Sequence, residues 1–163
     1  MRLAALLLLG ACTEPLVEPP ASSTLRLGAR RDPCTTVTGE TLMCFHRAGG
    51  GIDARVRELV GFDFEWGFET ELRGDLEGST FVVEQVVSQR PVPLDTMALV
   101  FPAAPADGSS PWFTTTKAGL DLKGTSIPCE PVRCSEILAA SERVFSLHVQ
   151  IAGPYALEVI AVD

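Results

Sequence analysis

From Phe62 to Arg73 the chain alternates strictly. Phe62, Phe64, Trp66, Phe68, Thr70 and Leu72 hold the even positions, and Asp63, Glu65, Gly67, Glu69, Glu71 and Arg73 the odd ones. A period of two sends successive side chains to opposite faces, so the stretch predicts a half-buried β-strand, with Gly67 marking a bend or bulge. Gly74-Asp75-Leu76-Glu77-Gly78 reads as a turn into Ser79–Ser88, whose Phe81, Val82, Val83, Val86 and Val87 make the return strand of an antiparallel hairpin. The pattern recurs near the C-terminus. There Phe145, Leu147, Val149 and Ile151 alternate with Ser146, His148 and Gln150, and Ala152-Gly153-Pro154 turns the chain into Tyr155–Val162.

Shorter elements lie between. Thr35–His46, rich in Thr, Val, Leu, Met and Phe, suits a strand pair, and Thr96–Phe101 is a further apolar strand. The Gly- and Pro-bearing segment Pro102–Pro111 is a loop, and Trp112–Thr116 with Gly119–Lys123 forms a short hairpin. Ser135 is the expected N-cap of one short helix over Glu136–Ser141. The predicted class is mainly β (α+β): antiparallel hairpins and one helix, in two small subdomains, 33–93 and 94–163, that share a core. Trp66, Trp112 and Tyr155 are assigned to packing. Arg47-Ala48-Gly49-Gly50-Gly51 is a flexible turn, because no Gly-Lys-Ser/Thr follows to make a phosphate cradle.

The N-terminus adds a location. Arg2, the apolar run Leu3–Leu9, then Gly10 and Ala11 precede Cys12. This resembles a bacterial lipobox, which implies a signal peptide over 1–11, cleavage before Cys12 and a lipid on that cysteine, so that the membrane is met through the lipid. Thr13 stands where an aspartate would favour inner-membrane retention, so the resemblance points to the outer membrane, on its periplasmic or surface face. Residues 12–32, with Pro15, Pro19, Pro20, Ser22 and Ser23, read as a flexible tether.

Of five cysteines, a lipidated Cys12 leaves Cys34, Cys44, Cys129 and Cys134. Four cysteines allow three pairings. In an oxidising compartment the two local pairs, Cys34–Cys44 and Cys129–Cys134, are expected. The rival is a metal site from Cys34, Cys44 and His46, but the nine residues between the cysteines match no usual zinc knuckle. No metal and no cofactor are expected.

Charge narrows the partners. The 13 Lys+Arg against 21 Asp+Glu give a net charge of -8, with no basic run, which excludes a nucleic-acid partner. Asp63, Glu65, Glu69 and Glu71 share one face of the predicted strand. They read as a solvated acidic face, with weak cation binding as the alternative. His46 and His148 fall on polar positions, and no Gly-x-Ser-x-Gly elbow is present, so no catalytic residue is assigned and the chain is read as non-enzymatic.

Cys34, Cys44, Gly61-Phe62, Glu65, Gly67-Phe68, Leu72 and the strand Phe81–Ser88 together resemble a small domain of unknown function. That domain recurs in bacterial secreted and lipid-anchored proteins, often beside META domains of the heat-shock protein J type. The resemblance covers 33–93. It implies an exported location and a β-rich fold, and it carries no catalytic residues. Residues 94–163 lack a META pattern. The expected function is a lipid-anchored cell-envelope protein acting as a structural or protein-binding module with an envelope protein partner. The alternatives are a small-ligand or cation binder using the acidic strand or the loop Pro102–Pro111, and an inhibitor of an exported protease presenting the Cys129–Cys134 loop.

Overall fold

The computed structural model describes residues 22–49, 51, 56–106, 108 and 111–163. Among these the fold is mainly β, with eleven strands and one helix. The first sheet holds β1 (Ser23–Thr35), β2 (Thr41–Arg47), β3 (Glu58–Val60), β4 (Phe68–Glu77) and β5 (Thr80–Pro91), in the order β2-β1-β4-β5-β3. The second holds β6 (Met97–Phe101), β7 (Thr114–Thr116), β8 (Gly119–Leu122), β9 (Thr125–Pro128), β10 (Phe145–Gly153) and β11 (Ala156–Val162), in the order β6-β10-β11-β9-β8-β7. Helix α1 (Pro131–Ala140) follows β9. Both sheets are mixed, because β3 runs parallel to β5 and β11 parallel to β9.

Alternation decides which faces are buried. Thr70 and Leu72 of β4 point inward with Leu25 and Leu27 of β1, Phe45 of β2 and Phe81 of β5 around one core. Leu99 and Phe101 of β6, Phe145, Leu147 and Val149 of β10, and Ile137 of α1 pack around the other. There the Phe101 and Phe145 rings stack at 4.6 Å between centroids, and Trp112 meets Phe101 edge-on at 5.1 Å.

The two sheets are bolted together at Trp66-Gly67. The Trp66 indole is 1% exposed and lies in the second sheet's core together with Met43 of β2. Its backbone N–H donates to the Pro154 carbonyl at 2.8 Å, and its Nε1–H to Thr125 Oγ1 at 3.1 Å. The Gly67 N–H donates to the Ala29 carbonyl at 2.8 Å. Gly67 has φ +84°, and a Cβ there would stand 3.1 Å from Ile151 Cδ1. Phe62 to Glu65, expected as the start of the β4 strand, is therefore irregular: the chain leaves the ladder to drive Trp66 into the neighbouring sheet.

Three further expectations are corrected. The tether expected over 12–32 is replaced from Ser23 by β1, which pairs with β4 from Ser23↔Gly74 to Leu27↔Thr70 and buries Leu25 and Leu27. The alternation Thr24-Leu25-Arg26-Leu27 outweighs the turn-forming composition before it. The expected signal peptide 1–11, Cys12 and the remaining tether up to residue 21 lie outside the described residues. The helix starts at Pro131 rather than Glu136, with Glu130 at the N-cap and no side-chain cap bond. Proline suits the first helical turn, since its ring presets φ and its missing N–H needs no partner. Ser135 instead bonds back from its hydroxyl to the Pro131 carbonyl at 2.9 Å.

The β4–β5 turn is tighter than expected. Glu77 pairs with Thr80, so only Gly78 and Ser79 connect the strands, and Gly78 at φ +64° supplies the first position of a type II′ turn. Gly74 lies inside β4, beside a register shift, and a Cβ there would fall 2.0 Å from the Val82 carbonyl oxygen. Gly74→Ala is therefore expected to cost about 2–3 kcal/mol, the upper range for overpacking, because a backbone atom must move. Urea unfolding of the variant checks this, and a midpoint equal to the parent's would show that the hairpin opens without cost.

Candidate functional site

A cleft of about 430 Å³ opens where the two sheets meet. Arg31 of β1 and Phe45 of β2 line it from one side, Leu59 of β3 and the stretch Phe62–Phe64 from another, and Gly124, Thr125 at the start of β9 and Tyr155 of the turn before β11 from the second sheet. The same departure from the β4 ladder that places Trp66 also builds this wall. Phe64 lies 5.7 Å from the Phe45 ring and 5.7 Å from Trp66, touching both cores.

Arg31 is the chemical centre of the cleft. Its Nε–H and one Nη2–H donate to the Met43 carbonyl at 3.0 and 2.8 Å. Pro33, which stands opposite Met43 in the β1–β2 ladder, has no N–H to give, so the donors at that carbonyl come from Arg31. The guanidinium carbon sits 4.8 Å above the Phe45 ring and 5.9 Å from that of Phe64, a cation–π arrangement. Burial lowers its pKa from the usual guanidinium range to about 10. No described carboxylate forms an ion pair with it. The rim is mixed and exposed: Arg57, Glu58 and Asp63.

Tyr155 closes one side. Its hydroxyl donates to Glu65 Oε1 at 3.1 Å, and Gln89 of β5 donates to Glu65 Oε2 at 3.0 Å, so Glu65 ties the turn before β11 to the first sheet. The hydrogen bond to the Glu65 carboxylate raises the phenol's pKa, since losing the proton would set two negative charges against each other.

The acidic row predicted along one strand is dispersed. Asp63 and Glu65 precede β4, while Glu69 pairs with Arg90 and Glu71 Oε2 lies 3.2 Å from Arg26 Nε. Among the described residues no three His, Cys, Asp or Glu side chains converge to hold a metal ion. Both expected disulfides are present, Cys34–Cys44 and Cys129–Cys134, with Cα separations of 5.9 and 5.5 Å. Cys34 and Cys44 are thereby spent as metal ligands. His46 bonds to Asp32, which also takes Arg30 at 3.3 Å, and His148 lies 2.8 Å from Asp163. Neither histidine lines the cleft.

Sequence reasoning missed Arg31, which fell inside the expected tether. The signal was there: Leu25, Leu27 and Ala29 are buried on one parity of β1, and Arg31 is the next residue of that parity. A charge on an apolar face calls for a partner or a pocket. No known family model matches this protein, and neither a curated protein nor a solved structure is significantly similar to it.

Proposed function

We propose that this protein is a lipid-anchored component of the bacterial cell envelope, held at the outer membrane through Cys12, that works by binding rather than by catalysis. One observation carries the reading. All four cysteines beyond the N-terminal segment are paired with one another, leaving Cys12 as the one cysteine outside these pairs. Local disulfides suit an oxidising compartment, and the lipobox-like run before Cys12 supports the same reading. A protease-inhibiting loop at Cys129–Cys134 has less support, because that segment is the first turn of α1 rather than an extended strap. Small-ligand binding is favoured by the Arg31 cleft and stands as the second reading.

Intact-mass spectra of the protein purified from its own membranes test the first. A polypeptide beginning at Cys12 with diacyl or triacyl mass, its other four cysteines unreactive until reduced, is expected. An unprocessed polypeptide with free thiols would overturn it.

A further inference from the structure

We propose that the cleft around Arg31 is a carboxylate-binding site, taking a ligand whose carboxylate is joined to an apolar body. The proposal rests on the binding reading above and is independent of the anchor.

The guanidinium's five N–H groups define what it can still hold. The Nε and Nη2 edge is turned to the Met43 carbonyl. The other edge keeps one N–H on Nη1 and one on Nη2, parallel and coplanar, which is the spacing a carboxylate meets with both oxygens. Phe45, Phe62, Phe64, Leu59 and Tyr155 give the walls an apolar lining for the rest of the ligand. The volume of about 430 Å³ suits one side chain or a small acid.

Charge selects the head group. A cation held against protein without a carboxylate is costly, and an incoming anion offsets that cost. A phosphate dianion fits poorly: among the described residues one arginine lies inside, two of its five N–H donors are committed, and Glu58 and Asp63 stand at the rim. A planar monoanion meets less repulsion, with Arg57 at the rim as a second, exposed cation.

The carboxylate can belong to the C-terminus of a polypeptide or to a free small acid, and calorimetry on the full-length protein in detergent separates them. N-acetylphenylalanine is expected to bind at least tenfold more tightly than its neutral amide, and inorganic phosphate more weakly than either. Arg31→Lys, which keeps the charge but loses the fork, is expected to lose tenfold or more for the acid and nothing for the amide. Arg57→Gln, at an exposed position with no role in packing, is expected to lose two- to threefold for the acid alone. This second variant keeps the test open if Arg31→Lys fails to fold. Acetyl-Ala-Ala-Phe with a free C-terminus binding more tightly than N-acetylphenylalanine assigns the site to polypeptide ends; the reverse assigns it to small acids. Equal affinity for acid and amide, phosphate binding as tightly as the acid, or no binding of the acid would overturn the proposal. None of these would alter the mass of the mature protein, so the envelope reading is judged separately.

Discussion

Trp66→Ala is expected to lower the unfolding free energy by about 3–5 kcal/mol, the usual cost of deleting a fully buried large aromatic. The side chain is 1% exposed and, from the turn that leads into β4 of the first sheet, belongs to the core of the second. Its removal leaves a cavity at the junction, strips Phe64 of an edge-on partner at 5.7 Å, and takes the donor from the buried Thr125 hydroxyl. An unsatisfied buried hydroxyl alone costs about 1–3 kcal/mol. Trp66→Phe separates the contributions: it keeps most of the ring but loses the N–H, and about 1–2 kcal/mol is expected. Urea unfolding followed by circular dichroism measures both. A Trp66→Ala cost below about 1 kcal/mol would mean the sheets are held elsewhere. Two separate transitions in that variant, against one in the parent, would show that Trp66 is what makes the sheets unfold together.

The same residue shows how far the sequence reaches. Alternation from Phe62 to Leu72 assigned Trp66 to the interior, and the interior is where it lies, but alternation is local and says nothing of which core receives the side chain. The parity of β10 was legible for the same reason, since Phe145, Leu147 and Val149 all face apolar neighbours. The parallel pairings of β3 with β5 and of β11 with β9 were not, because they join segments with no turn between them to announce the contact. Gly74 misled as turn punctuation: its lack of a Cβ serves the close approach of Val82 across the hairpin, not a reversal of direction. The cleft was the least legible feature. Its lining comes from six separate stretches of sequence, and Arg31 carries no motif, only a charge on the wrong parity of a strand.

Removing both disulfides is expected to cost about 5 kcal/mol in total. In the loop-closure account a separation of 10 residues between Cys34 and Cys44 is worth about 2.7 kcal/mol at 25 °C. The separation of 5 between Cys129 and Cys134 is worth about 2.1 kcal/mol by the same relation. The two add, because they constrain different loops: one staples β1 to β2, and the other ties the end of β9 to the first turn of α1. A fall in melting temperature of about 10–20 °C follows for a protein of this size. Three variants resolve it: Cys34→Ala with Cys44→Ala, Cys129→Ala with Cys134→Ala, and all four together. The first pair should cost more than the second, and the fourfold variant close to their sum. A loss of about 5 kcal/mol equals the whole stability of many domains. The protein would then fold securely only where its thiols are oxidised, and the same measurement bears on where it works. A fourfold variant melting within about 2 °C of the parent would remove the thermodynamic reason for export and leave the lipobox-like run before Cys12 as its main support.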